Sequence, residues 1–177
     1  MAHTHAQTKF EREYRIKVEN IPKKAKDFID QCFFHQKTKW YAEESQDGKT
    51  IEAKTLYNDH KYSIEFSTDG NVLDVEKKIK FDNLKTAHKN QITTTLKELF
   101  SKYKIIKTQI QWKADNHVLV SLIKDGYTNK QYSLHYEMVI KAKKEKGYHL
   151  YEVLFTPNGE AIKILKIVQR NSDNLQF

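Results

Sequence analysis

Few residues of this chain have the type and spacing that catalysis requires. Its one cysteine, Cys32, lies within an apolar helical pattern, which indicates a small buried side chain rather than a nucleophile. His60 and His149 are widely separated, and a metal site needs three or four converging ligands. The sequence contains no glycine-rich phosphate loop, zinc-protease helix or nucleophile elbow. We therefore expect a protein that is not an enzyme and that binds no metal and no cofactor.

A group of lysines and leucines in the second half of the chain has instead the composition of a protein-binding surface. Lysines are clustered at positions 141, 143, 144 and 146, and Leu150 and Leu154 occur where a half-exposed strand would carry polar residues. An apolar centre with a charged rim is common at protein interfaces. The candidate partner-binding residues are Val139, Lys141, Lys143, Lys144, Leu150, Leu154 and Leu165.

The same residues allow a second interpretation, which we favour. The stretch at 118–132 is inserted relative to the first half of the chain, and its apolar residues need burial. In this interpretation the insertion folds over Leu150 and Leu154, which then belong to an ordinary core. The lysine cluster is in that case a solvated hairpin tip that precedes Gly147.

Charge and hydropathy limit the possible partners. The 177 residues include 31 Lys and Arg against 23 Asp and Glu, a net charge of +8. The lysines are mostly interleaved with acids, and the aromatic residues fall at core positions rather than among the lysines, where base stacking would need them. Nucleic-acid binding is therefore the less favoured alternative. No apolar run approaches the roughly 18 residues that span a bilayer.

A segment of the chain recurs 89 residues further on. Residues 60–70 read HKYSIEFSTDG and residues 149–159 read HLYEVLFTPNG. The same offset pairs Ile51 with Ile140 and Ala53 with Ala142, whereas residues 16–21 match 79–84 at an offset of 63. Ordered matches with growing offsets are typical of a duplication with insertions in loops. The predicted organisation is an extension at 1–13, repeats at 14–78 and 79–170, and a tail at 171–177.

Each repeat is predicted to be one helical segment followed by about four antiparallel strands, an α+β fold. The helical stripes consist of Ile21, Ala25, Phe28, Ile29, Cys32 and Phe33 in the first repeat, and of Ile92, Leu96, Leu99, Phe100 and Tyr103 in the second. Alternation at 61–66 predicts a half-buried strand. Further strands are predicted at 40–44, 50–57, 109–114 and 131–143, and turns at Gly70 and Gly159.

These motifs resemble a known family. The helix starts N-I-P-K-K-A and N-L-K-T-A, the tryptophan-bearing strands, and the repeated H-x-Y-x-[IV]-x-F-[ST]-x-[DN]-G are similar to those of PepSY-like, β-lactamase-inhibitor-like exported proteins of Bacteroidetes. The resemblance covers roughly residues 14–168. It departs from the family pattern at Lys85, where a proline is usual, and at the insertion of about 17 residues. It implies a fold like that of β-lactamase inhibitory protein (BLIP), with two tandem units, and export from the cytoplasm.

We therefore expect a non-catalytic, periplasmic or secreted module that binds a protein or peptide through a sheet face, and that is a monomer or weak dimer. Inhibition of an enzyme does not follow from the fold, because one fold supports many functions. Ala6 before Gln7 would suit the end of a signal-peptidase site, so we expect a signal peptide to have been removed and a start Met added.

Overall fold

Strands dominate the computed structural model, which describes residues 7–144 and 147–168. Within these residues the helices are α1 Lys23–Phe33, α2 Thr86–Leu99 and α3 Asn116–Lys124, and short 3-10 turns at Val18–Asn20 and Phe81–Asn83 precede α1 and α2. The strands are β1 Gln7–Arg15, β2 Lys39–Ser45, β3 Gly48–Tyr57, β4 His60–Ser67, β5 Val72–Ile79, β6 Lys102–Lys113, β7 Ser133–Lys144, β8 Gly147–Phe155 and β9 Ala161–Val168. The fold is α+β.

The described residues fall into two compact units. The α1 unit comprises 11–77 and 111–133, and the α2 unit comprises 7–10, 78–110 and the described part of 134–168. The chain therefore crosses from one unit to the other several times, whereas the single boundary predicted near residue 78 would need one crossing. β1 begins at Gln7, inside the expected N-terminal extension, and Trp112 at the end of β6 belongs to the α1 unit together with Trp40.

The α1 unit packs an amphipathic helix on an antiparallel sheet. Strands β1 to β5 pair antiparallel in sequence order. The predicted stripe is confirmed from Ala25 onward, because the buried residues of α1 are Ala25, Phe28, Ile29, Cys32 and Phe33, whereas Ile21 is buried but precedes the helix. The Phe66 ring of β4 lies at the centre of this core, 6.1 Å from the ring of Phe28 and 5.9 Å from that of Trp40.

The α2 unit repeats this arrangement with a second core. Strands β7, β8 and β9 pair antiparallel, and β9 pairs in parallel with residues 7–10 of β1. Ile92 and Leu96 of α2 are fully buried. The helix ends earlier than predicted, because Phe100 is already extended and its N–H donates to the carbonyl of Leu96 at 3.0 Å, and Tyr103 lies in β6. The core contains Leu84, Ile92, Leu96, Phe100, Tyr136, Met138, Ile140, Ala142, Tyr151, Val153, Phe155 and Ile164.

A glycine turn of the same geometry closes a hairpin in each unit. Gly70 has φ 82° and its N–H donates to the carbonyl of Ser67 at 2.9 Å, and Gly159 has φ 79° and donates to Thr156 at 2.9 Å. A Cβ added to Gly159 would lie 2.6 Å from the Cβ of Gln91 in α2. Both the positive φ and the close approach of the helix therefore require glycine here.

The strand ladders show that the 89-residue offset holds between β4 and β8 but does not hold between β3 and β7. Ile51 pairs with Phe66 in the α1 unit, and Tyr136 pairs with Phe155 in the α2 unit. The predicted match of Ile51 with Ile140 is therefore wrong by four residues, since Tyr136 occupies the corresponding ladder position. The reason is that the β7–β8 hairpin is four residues longer than the β3–β4 hairpin.

Helix α3 accounts for the inserted segment and corrects the interpretation that we favoured for it. The segment was expected to fold over Leu150 and Leu154. Instead α3 belongs to the α1 unit, lies against α1 and buries Val118, Leu119, Leu122 and Ile123. Their spacing places all four on one side of a helix, so a helix on α1 satisfies their need for burial.

Candidate functional site

Six of the seven predicted partner-binding residues share one face of the sheet in the α2 unit. Residues opposite each other in an antiparallel ladder point to the same side. Val139 pairs with Glu152 and Glu152 with Leu165, and Lys141 pairs with Leu150. The helix-free face of β7–β9, as we call it, consists of Glu137, Val139, Lys141, Lys143, Tyr148, Leu150, Glu152, Leu154, Lys163, Leu165 and Ile167.

One predicted residue is not on this face, and one residue of the lysine cluster cannot be placed. Lys144 follows Lys143 in an extended strand, so alternation turns it to the side of the sheet that packs on α2. It is exposed because it lies at the end of β7. Lys146 lies outside the described residues.

Exposure divides the helix-free face into a buried part and an accessible part. Val139 and Leu165 are only 5% and 4% exposed. Leu150 and Leu154 are half-buried, whereas Lys141 and Lys143 are exposed. A partner can therefore contact Leu150, Leu154, Lys141 and Lys143 directly. Val139 and Leu165 are almost inaccessible to it.

An ion pair neutralises the acidic residue in the middle of this face. Lys9 of β1 donates to the Oε2 of Glu152 at 3.0 Å, and both side chains are largely shielded from solvent. Because Glu152 is paired in this way, the accessible charge around Leu150 comes mainly from lysine.

An exposed tyrosine lies beside the lysines. The Nζ of Lys141 is 5.9 Å from the centre of the Tyr148 ring, and Tyr148 is 54% exposed and pairs with Lys143 in the ladder. A cation over an aromatic ring is a weakly favourable contact. Sequence reasoning missed Tyr148, although its place next to Gly147 in a lysine-rich turn was a usable signal.

The corresponding face of the α1 unit is acidic and has a buried lysine at its centre. Lys54 contacts Glu13 at 2.8 Å and Glu52 at 3.0 Å, and its Nζ lies 4.8 Å from the centre of the Tyr41 ring. Ser63 donates a short hydrogen bond to Glu52. Burial alone would lower the pKa of Lys54, but the two carboxylates outweigh burial and raise that pKa. Sequence reasoning also missed this cluster, because its members come from four strands, β1 to β4.

The ladder also revises the counterpart of Lys54. The 89-residue offset in the sequence would place Lys143 at the position of Lys54. Lys54 pairs with Ser63, and the residue in the same ladder position of the α2 unit is Val139, which pairs with Glu152. A buried cation in one unit thus corresponds to a buried valine in the other.

The sequence offered one candidate nucleophile, Cys32, and scattered residues of metal-ligating type. Cys32 is buried, and burial raises the pKa of its thiol to about 12, so it stays protonated and unreactive. Among the described residues no group of three or more His, Cys, Asp or Glu side chains is arranged to hold a metal ion.

Solved structures from Bacteroides have the same fold. One is a protein of the DUF2874 family from Bacteroides ovatus, with a TM-score of 0.53 and 14% identity over 82% of this chain and 87% of that one. A BLIP-like protein from Bacteroides fragilis has a TM-score of 0.53 and 14% identity over 86% and 90%. A candidate periplasmic protein from Bacteroides eggerthii has a TM-score of 0.53 and 16% identity over 82% and 88%.

The chain therefore has the fold of a BLIP-like protein. At such low identity the similarity concerns the fold alone. Comparison with protein-family models gives no match, and comparison with curated proteins gives none either. None of the helices in residues 7–144 and 147–168 has the length and apolar composition of a membrane span.

Proposed function

We propose that this protein is a non-catalytic, exported binding module that holds a protein or peptide on the helix-free face of β7–β9. The accessible contact residues are Lys141, Lys143, Leu150 and Leu154, with the buried Val139 and Leu165 beside them on the same face and Lys144 at the edge. The module acts as a monomer or weak dimer in the periplasm or outside the cell. The candidate periplasmic neighbour from Bacteroides eggerthii supports this compartment.

One observation carries the proposal: two leucines interrupt a face that is polar in the other unit. Leu150 and Leu154 of β8 are half-buried, and the residues at the same places in β4 are Lys61 and Glu65, which are equally half-buried. A leucine that keeps part of its surface in water gains free energy when a partner covers it. The difference between the units therefore supports the proposal that the α2 unit is the binding one.

We also infer that the two units arose by tandem duplication, which explains why their faces can be compared position by position. Three features support this inference. The 3-10 turns before α1 and α2 are 63 residues apart, and the glycine turns are 89 residues apart. In addition, a register shift precedes Phe66 in β4 and Phe155 in β8.

Site-specific photo-crosslinking tests the binding face. A photoreactive amino acid is introduced at Leu150 or Leu154, and matched control proteins carry it at Lys61 or Glu65, which have similar exposure on β4. Each protein is irradiated in periplasmic extract of a Bacteroides strain. We expect one discrete protein adduct at positions 150 and 154 and none at 61 and 65.

Two results would overturn this proposal. Equal labelling at all four positions would mean that the leucines are simply exposed surface without a partner. An adduct whose added mass is sensitive to nuclease would make the protein a nucleic-acid binder, which is the alternative that its net charge suggests.

A further inference from the structure

The β7–β8 hairpin extends beyond the length of its counterpart. The β3–β4 ladder ends at the pair Tyr57–His60, whose position corresponds to Ala142–His149 in β7–β8. The ladder of the α2 unit continues from there to Lys144–Gly147. The pairs Lys143–Tyr148 and Lys144–Gly147 thus extend the hairpin by four residues that the α1 unit lacks.

Charge is divided unequally between the two units. Among the described residues the α2 unit has 14 Lys, no Arg and five Asp or Glu, a net charge of +9. The described residues of the α1 unit have 15 Lys or Arg and 16 Asp or Glu, a net charge of −1. The basic character of the whole chain is therefore a property of the α2 unit, where it creates a positive field.

The hairpin extension adds exposed positive charge and an aromatic ring at one end of this unit. Lys141, Lys143 and Lys144 are exposed, and none of them forms an ion pair with another described residue. Tyr148 is more than half exposed and lies beside Lys141. The half-buried Leu150 follows it in β8 on the same face. We call these five residues the basic hairpin end.

We propose that the basic hairpin end docks an acidic protein segment, one in which several carboxylates flank at least one apolar side chain. This inference rests on the proposed function and specifies the chemistry of its partner. The lysines steer and hold the carboxylates, and Tyr148 and Leu150 cover the apolar side chain. Charge complementarity at such a contact mainly increases the association rate.

Two features favour an acidic protein over a nucleic acid at this place. Among its described residues the α2 unit offers lysine only, whereas phosphate groups are recognised especially well by the bidentate guanidinium of arginine. The exposed aromatic surface of this face consists of Tyr148 among the described residues, and a strand of stacked bases needs several rings.

A peptide selection tests the proposal. A phage-displayed library of random dodecapeptides is selected on the full-length protein and depleted on the double variant Lys141→Glu/Lys143→Glu. The matched control is Lys17→Glu/Lys37→Glu, which changes two exposed lysines of the α1 unit and gives the same net charge. We expect the recovered peptides to be acidic and to contain a recurring apolar residue.

The association rate of a recovered peptide provides the quantitative readout. We expect Lys141→Glu/Lys143→Glu to lower it about tenfold or more at low salt, and the control double variant to lower it less than about twofold. The rate on the unchanged protein should also fall steeply between low and physiological salt. Equal losses in both double variants would overturn the proposal, because they would indicate attraction by net charge without a site.

Two further outcomes also overturn it. The first is recovery of neutral or basic peptides, or of none. The second is tighter binding of a single-stranded 12-nucleotide DNA than of the recovered peptide, with the same loss in Lys141→Glu/Lys143→Glu. If the photo-crosslinked partner is captured equally well by this double variant and at high salt, the proposed function stands and this inference alone fails.

Discussion

The ammonium group of Lys54 in β3 lies 2.8 Å from the carboxylate of Glu13 in β1, although both side chains are at least nine-tenths buried. Glu52 contacts the same ammonium group at 3.0 Å. Two shielded carboxylates thus share one cation, and a buried carboxylate is costly when such a partner is removed.

Removing this cation should therefore be costly. We expect Lys54→Met to lower the free energy of unfolding by about 3–5 kcal/mol, because Glu13 and Glu52 would lose the buried ammonium group that they share. Urea melts at neutral pH measure this effect. Lys49→Met, which breaks an exposed pair with Glu44, serves as the control and should change stability little.

Gly159 and Gly126 provide a matched comparison of backbone strain and close packing. Both have a positive φ, 79° and 76°, but an added Cβ meets Gln91 and Ile92 at Gly159 and nothing within 4 Å at Gly126. Gly126→Ala should cost about 1–2 kcal/mol, the usual penalty of a left-handed residue. Gly159→Ala should cost at least about 3 kcal/mol, because α2 must also move. Equal losses of unfolding free energy for the two variants in denaturant melts would show that α2 moves away from the added methyl group at no cost.

The equivalent phenylalanines of the two cores should contribute equally to the stability of the fold. Phe66 and Phe155 are both fully buried. We expect Phe66→Ala and Phe155→Ala each to destabilise the fold by about 3–5 kcal/mol in denaturant melts. Phe34, which is 69% exposed, is the control, and Phe34→Ala should stay within about 0.5 kcal/mol. A cost below about 1 kcal/mol at both core positions would contradict this assignment.

Two leucines on the helix-free face should respond differently to charge. Leu165→Asp places an unpaired carboxylate at a position that is 4% exposed, and we expect a large fall in the thermal midpoint. Leu154→Asp should cause a much smaller fall, since Leu154 is half-buried and lies opposite Lys163, which can pair with the new carboxylate. Similar falls in both variants would show that Leu154 is core, and the proposed binding face would lose its centre.

Stability should decline in alkaline solution. Burial raises the pKa of Cys32 to about 12 from 9.0, and burial is also the main reason why the pKa of Tyr62 is about 12 rather than 10.0. Both groups are neutral when protonated, so the unfolded chain releases their protons first and stability falls as pH rises from about 9 towards 12. Urea midpoints measured from pH 8 upward should decrease, and Cys32→Ala should flatten the first part of that decrease.

The sequence by itself was sufficient for the local patterns. Alternation of apolar residues predicted β3 and β4 to within two residues, and the i, i+4, i+7 stripe predicted the buried face of α1. Glycine after Asp69 and Asn158 predicted the two positive-φ turns. These features depend on neighbours along the chain, which share one element and therefore leave a regular period in the sequence.

Only the tertiary structure decided where the elements pack and which strand residues face each other. The apolar pattern of α3 required burial but did not specify a partner, and the structure places it on α1. Lys54 contacts Glu13, which is 41 positions away in the sequence. This contact depends on the register of the strand ladders, and a local periodicity does not encode that register. The register of β7 also depends on the longer hairpin, so Val139 rather than Lys143 takes the place of Lys54. Pairing between strands depends on contacts distant in sequence, and a change of hairpin length shifts every pair beyond it without altering the alternation.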